Sequence, residues 1–297
     1  MVDAVHVISI TVYPKTAEDA SKLQAALPRL ADEDLTLGYR IDSEPERAIL
    51  AGTSEGHLET AVDRLTRGCG VQMSARDLEI AFRETITRTV EYDYTHKKHY
   101  GPKGEFARVK IHLEPLPRGS GFVFANAAGS GLPSEYTAVI GPALHAAAHL
   151  GDVDKGSYPA TDLRATLIDG AYHDIDSSAR AFEIAACACF YEGIAKAGPQ
   201  LLEPVMKVAV LTPEEFMGNV IGDLNRRGGA ISGMSPEGTM YAVDALAPLR
   251  KMLGYASYLR AMTQGRASWT TQFDRYAPYW RGGDLDPIHP GAAMGLR

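Results

Sequence analysis

Apolar and polar positions alternate over residues 5–13 (VHVISITVY), which predicts a strand that Pro14 ends. Thr16-Ala-Glu-Asp19 resembles a capping box, and a helix is predicted to run from there to about Ala31. Leu23, Leu27 and Leu30 recur at helical spacing and give it one apolar stripe. Strands are predicted over residues 35–41 and 48–51, around a turn at Ser43-Glu-Pro45. A helix over residues 55–66 carries Leu58, Val62 and Leu65 on one face, and residues 71–74 begin another strand. The order is βαββαβ.

That order returns after residue 204. Residues 205–211 read as a strand, and Thr212-Pro-Glu-Glu215 as a helix start with proline at the first helical position. Phe216, Val220, Ile221 and Leu224 form the helix's buried face, and Gly228-Gly229 stops it. Strands over 230–234 and 239–246 flank a turn at Ser235-Pro-Glu-Gly238. Pro248 opens a second helix with Leu249, Met252, Leu253 and Leu259, and residues 266–273 alternate with Ala267, Trp269, Thr271 and Phe273 inward. Two ferredoxin-like βαββαβ domains are therefore predicted, in an α+β chain.

The middle follows a different plan. Residues 83–96 are β-rich, and 96–104 (HKKHYGPKG) read as a polar, basic turn. Strands over 105–116 and 121–125, a helix over 133–150, a strand over 160–168 and a helix over 179–196 follow. Between the last strand and helix lies Asp169-Gly-Ala-Tyr-His-Asp-Ile-Asp-Ser-Ser178. Ser177 and Ser178 suit the cap of the following helix, so strand and helix together hold His173 at a tip. Leu201-Leu-Glu-Pro204 reads as a link to the last domain, and the Gly/Pro-rich stretch from about 278 as an extended or poorly ordered tail.

Composition narrows the class. A hydrophobic content of 45% with 23% charged residues is that of a soluble globular chain, and 297 residues imply two or three domains. No apolar run reaches about 18 residues and no signal-peptide pattern opens the chain, so a membrane span and export are not expected. Cys69, Cys187 and Cys189 lack zinc spacing and read as small core residues in a reducing cytoplasm. A net charge of −7 argues against indiscriminate nucleic-acid binding but leaves room for a local basic patch.

Several chemistries fit the residues. His173 with Asp169, Asp174 and Asp176 fits a metal site, an acid–base group, or a turn whose carboxylates bond backbone amides. Lys97, Lys98 and Lys103 fit a solvated hairpin or a phosphate-contacting loop. Arg226 and Arg227 close a helix, where cations favour its dipole.

An ordered series of motifs resembles bacterial elongation factor G. They are Ile49-Leu-Ala-Gly52, Glu55 with His57-Leu-Glu59, Phe82-Arg-Glu-Thr-Ile86, Gly104-Glu-Phe-Ala-Arg-Val-Lys110 and the loop from Asp169 to Ser178. Leu202-Glu-Pro204, Thr212-Pro-Glu-Glu215, Val220-Ile-Gly-Asp-Leu-Asn225, Leu253-Gly-Tyr255 and Thr263-Gln-Gly-Arg266 complete the series. The resemblance covers domains III, IV and V, expected at residues 1–79, 80–203 and 204–277, with a tail at 278–297. It implies a ribosomal-protein-like domain IV with a left-handed βαβ crossover between the two ferredoxin-like domains. It also implies a cytoplasmic, monomeric translation factor that binds ribosomal RNA and supports tRNA–mRNA translocation.

By the same resemblance, Gly170, Tyr172, His173 and Asp174, with Lys97, Lys98, Lys103, Gly104 and Glu105, face RNA at the decoding region. Glu55 and His57 are implied as interdomain residues, and Asn225, Arg226 and Arg227 as domain V contacts near large-subunit RNA. No Gly-x-x-x-x-Gly-Lys-Ser/Thr occurs, so GTP and magnesium belong to the GTPase domain of a full-length relative and this chain is expected to catalyse nothing. A fragment of a longer protein and a naturally truncated paralogue both fit. A paralogue acting in ribosome protection or recycling, and a metal-dependent hydrolase built on the His173 loop, are the alternatives. The sequence departs from the family's usual residues at three places. These are Gly56 in Ser54-Glu-Gly-His-Leu-Glu59, Glu105 in place of glutamine, and Arg227-Gly-Gly-Ala230.

Overall fold

A computed structural model describes residues 5–43, 46–100, 103–129, 131–151 and 157–279. Glu44 and Pro45 of the first predicted turn, Gly101 and Pro102 of the basic run, and the tail beyond Tyr279 lie outside the described residues. The chain divides into two units, one formed by Met1–Ala81 with Glu203–Arg297 and the other by Phe82–Leu202.

The first unit begins with β1 (Ile8–Pro14), α1 (Ala17–Glu33), β2 (Gly38–Ser43) and β3 (Glu46–Gly52). Then come α2 (Glu55–Asp63), a π-helical turn (Arg64–Gly68) and β4 (Met73–Ile80). The antiparallel sheet has the order β2-β3-β1-β4, as the βαββαβ reading requires. Thr16 caps α1: its hydroxyl accepts from the Asp19 amide at 3.1 Å and donates to the Asp19 carboxylate at 2.7 Å. The other carboxylate oxygen accepts from the Gln72 amide at 2.9 Å, so the helix start is tied to the approach of β4. These bonds, the Thr16 hydroxyl first, hold the Asp19 carboxyl below its ordinary range.

The second unit contains β5 (Arg83–Ile86), β6 (Val90–Tyr100), β7 (Lys103–Pro115), β8 (Phe122–Asn126), α3 (Ser134–Leu150), β9 (Leu163–Ala171) and α4 (Ala179–Lys196). Its main sheet has the order β6-β7-β9-β8, with β8 parallel to β9, so α3 is the crossover of a βαβ unit. Inward residues Ala107, Val109, Ile111 and Leu113 of β7 and Leu163, Ala165 and Leu167 of β9 are fully buried. They share a core with Ile140 and Leu144 of α3 and Phe182 and Phe190 of α4.

Two local expectations are corrected here. Residues 96–100 and 103–104 are not a turn: β6 and β7 pair from Val90↔Leu113 out to Tyr100↔Lys103. β6 is an edge strand, where charged side chains cost nothing and discourage unwanted pairing, so a polar composition does not mark a turn. Likewise Asp169, Gly170 and Ala171 belong to β9, because β7 offers its backbone as far as Arg108↔Ala171, past a bulge at Lys110/Ile111.

The chain closes with β10 (Pro199–Pro213), α5 (Glu214–Arg226), β11 (Ala230–Glu237), β12 (Met240–Pro248), α6 (Leu249–Met252), α7 (Tyr255–Met262) and β13 (Ser268–Pro278). The sheet order β11-β12-β10-β13 repeats that of the first βαββαβ half. Leu201 and Leu202, expected in a link, are ladder residues of β10 and pair with Glu84 and Arg83 of β5. Pro213 has an extended backbone (φ −59°, ψ 150°), so it caps α5 rather than occupying its first position. The β11–β12 turn is Gly238-Thr239, since Glu237 still pairs with Met240 and Gly238 supplies the positive φ of +64°. The single helix expected after Pro248 is two, broken where Gly254 turns left-handed (φ +69°).

The two βαββαβ halves bury one continuous apolar cluster. Leu27, Leu50 and Leu58 belong to it with Val208, Val220, Leu249 and Tyr255. Glu55 joins the halves directly, its carboxylate accepting from the Gly254 amide at 2.8 Å.

Not all three cysteines are core residues. Cys69 is exposed, just past the π-helical turn, Cys187 is half-buried and Cys189 is buried. The Cys189 thiol donates to the Val109 carbonyl at 3.3 Å, and burial pushes its pKa up to about 12. Because the thiolate is the nucleophile, iodoacetamide at neutral pH is expected to label Cys69 first, Cys187 slowly, and Cys189 only on unfolding. Peptide mass spectrometry of a time course checks this, and early modification of Cys189 would contradict it.

Candidate nucleic-acid interface

At one end of the second unit, the start of β7 meets the loop between β9 and α4. The Phe106 amide donates to the Asp176 carbonyl at 2.9 Å. The Ser177 hydroxyl donates to the Phe106 carbonyl at 2.6 Å and accepts from the His173 amide at 2.9 Å. Ser178 alone caps α4, accepting from the Ala181 amide at 3.2 Å. The two serines therefore divide the work: one starts the helix and the other fastens the loop to the sheet.

Glycines permit the close approach. A Cβ at Gly104 would stand 2.7 Å from Cγ of Asp176, and one at Gly170 would stand 3.0 Å from the Arg108 carbonyl and 3.1 Å from Leu132. Gly104, Glu105 and Gly170 thus lie with Tyr172, His173 and Asp174 at one end of the fold.

The loop's side chains face outward. His173 is 55% exposed, Tyr172 is 42% exposed, and Asp174 and Ile175 are exposed. Nδ1 of His173 accepts weakly from the amides of Ile175 (3.4 Å) and Asp176 (3.3 Å). Tyr172 leans on Tyr136 with ring centroids 5.8 Å apart, and Tyr136 stacks on buried Phe182 at 4.5 Å. A ladder of aromatic rings therefore anchors the exposed loop in the core.

Asp169 does not join this loop. It pairs with Arg108 (Nη1 to Oδ2, 3.1 Å), whose guanidinium also holds Asp93 on the outer face of the sheet. Among the described residues, no three His, Cys, Asp or Glu side chains are grouped so as to hold a metal ion.

Lys97 and Lys98 are exposed near the end of the hairpin, opposite Phe106 and Glu105. Lys103 opens β7 opposite Tyr100. Sequence reasoning missed His96, which is only 3% exposed and has Nε2 3.0 Å from the Glu105 carboxylate. The signal was present: Val90, Tyr92, Tyr94 and His96 continue one period-two face, and the first three pack on the core.

The remaining candidates lie in the first unit. His57 is mostly buried within its own half, with Nε2 3.0 Å from Asp34 and Nδ1 accepting from the Thr53 amide at 3.2 Å. The Thr36 hydroxyl and amide, with His57, hold the Asp34 carboxyl below its ordinary range. Gly56 is exposed with open space around it, and nothing in the structure explains it. Asn225 and Arg226 are exposed at the end of α5, whereas Arg227 turns inward onto Asp223, Tyr255 and Tyr258.

Three family models match in tandem: elongation factor G domain III over residues 4–77, domain IV over 78–198 and the elongation factor G C-terminus over 200–281. Elongation factor G of Granulibacter bethesdensis is 47% identical over 275 residues, which are 92% of this chain and 39% of that protein. A crystal structure from Thermus thermophilus matches with a TM-score of 0.71 at 34% identity, covering 92% of this chain and 41% of that one. The chain thus spans about two fifths of the length of these relatives. Among the described residues, no helix is long and apolar enough to cross a membrane.

Proposed function

The chain belongs to the elongation factor G family, with the regions of domain III, domain IV and the C-terminus, and on that premise we propose that it is the ribosome-binding segment of a translocation factor. The second unit enters the decoding region with its tip and holds tRNA and mRNA after they have moved. The juxtaposition of the β6–β7 hairpin end with the His173 loop carries this reading. It presents two exposed lysines, a half-exposed tyrosine and a half-exposed imidazole on one anchored end.

Each group suits RNA. Lysines meet phosphates without reading sequence. Tyrosine stacks on unpaired bases, and histidine donates, accepts or stacks. The action is mechanical: these side chains bind and obstruct, and no bond is made or broken by them. GTP and magnesium would be held by the GTPase domain of a full-length relative and would supply phosphoryl transfer there.

Directed hydroxyl-radical probing tests the proposal. With an iron chelate tethered to a cysteine at position 175, in a variant lacking the native thiols, the chain is expected to sediment with ribosomes and cut small-subunit RNA at the decoding region. Failure to sediment, or cuts confined to other regions, would overturn it.

A further inference from the structure

We infer that His96 is a positioning residue for the tip: it holds the Glu105 carboxylate back from the surface that meets RNA. The inference deepens the ribosome-binding reading and rests on it. Glu105 stands directly opposite exposed Lys98 at the end of the hairpin, where a free carboxylate would sit among the phosphate-facing groups. Its side chain, 35% exposed, reaches diagonally to His96 instead of extending freely toward solvent, with 3.0 Å between Oε2 and Nε2. An ionised carboxylate only accepts, so the imidazole donates from Nε2.

The geometry favours this hold. His96 is opposite Ala107, and the face they share continues into fully buried Val109 and Ile111. Glu105 has the same parity as Ala107, so its chain leaves β7 on this inner face, away from Phe106 and Arg108. The Phe106 amide and carbonyl are both fixed by the His173 loop, so the backbone beside Glu105 is held and its side chain departs from this face, where His96 is the partner that ties the carboxylate down. A like charge about 6 Å from a phosphate weakens binding in water by about threefold, and by more where water is displaced. Without His96, Glu105 would carry that penalty into every contact of the tip.

Four variants of the whole chain test this: His96→Ala, His96→Gln, Glu105→Gln and the double variant His96→Ala/Glu105→Gln. Circular dichroism first establishes that each is folded. Carbodiimide-driven amidation, read by mass spectrometry, is expected to label Glu105 several-fold faster in His96→Ala than in the unaltered chain. Affinity for salt-washed, tRNA-loaded bacterial ribosomes at low salt is expected to fall by about three- to tenfold in His96→Ala. His96→Gln, whose amide nitrogen reaches about as far as Nε2 and keeps a donor, and the double variant, which removes the charge, are expected to restore it.

Equal labelling of Glu105 with and without His96 would overturn the inference. So would a double variant as weak as His96→Ala, since His96 would then shape the tip without managing its charge. If the unaltered chain did not bind ribosomes, the functional reading would fall, while the labelling comparison would still decide whether His96 holds Glu105.

Discussion

Replacing His173 by alanine is expected to shift the melting temperature by no more than about 1–2 °C, while slowing tRNA–mRNA movement by about 5- to 100-fold in a full-length protein. The first part follows from exposure. The ring stands more than half in solvent, its two amide contacts are long, and the backbone bond to Ser177 survives the change. Surface substitutions of this kind stay within about 0.5 kcal/mol. The second part follows from the proposed role, since one stacked or hydrogen-bonded base contact is worth about 1–3 kcal/mol. Ribosome-stimulated GTP hydrolysis should stay near normal, because no phosphate-cradle motif occurs in this chain. Fast single-turnover measurements of both steps separate the outcomes. A structural metal ligand would give a lower melting temperature and released metal, and a catalytic base would cost the isolated chain an activity. A stable variant with unaltered movement would remove the tip from the mechanism.

Arg227→Ala is expected to destabilise the first unit by about 3 kcal/mol, and Arg226→Ala by less than about 1 kcal/mol. The Asp223 side chain is 2% exposed and accepts from Arg227 Nε at 2.8 Å. Arg227 also donates to the Lys251 carbonyl at 2.7 Å and lies over the rings of Tyr255 and Tyr258, 5.1 and 5.0 Å from their centroids. Removing it leaves a buried carboxylate paired with the more solvent-exposed Arg226, whose side chain is 68% exposed. Urea midpoints of the two variants test the ranking. If Arg227 acted solely on RNA, its loss would leave the midpoint unchanged and flatten the salt dependence of ribosome binding.

Burial was legible wherever periodicity alone dictates it. Leu23, Leu27 and Leu30 repeat at helical spacing and are buried, and Leu163, Ala165 and Leu167 alternate and are buried. Pairing partners were not legible, because backbone hydrogen bonds leave no mark on side-chain pattern. Asp169 reads as a loop carboxylate until β7 supplies its ladder, which places it beside Arg108. Cys69 looks like any small core residue, yet it stands exposed just past the π-helical turn. At the tip, the meeting of Phe106 with Ser177, 71 residues apart, could be expected from the resemblance but from no spacing in the chain. His96 shows the reverse case. Its strand parity was readable, and the polar company of Lys97 and Lys98 concealed it.

The first unit is assembled from two separated stretches, while the second is one uninterrupted run of chain. During synthesis the order of completion is therefore fixed by the gene. Residues up to Ala81 emerge with part of their apolar surface awaiting Val208, Val220 and Leu249. At about 5–20 residues per second, that wait is on the order of ten seconds. Phe82–Leu202 can close its own core in the interval, because every residue it needs has already been translated. Until then the stretch up to Ala81 presents that uncovered apolar surface to chaperones and proteases, and a slowed codon between positions 82 and 202 would lengthen the exposure without altering the finished protein.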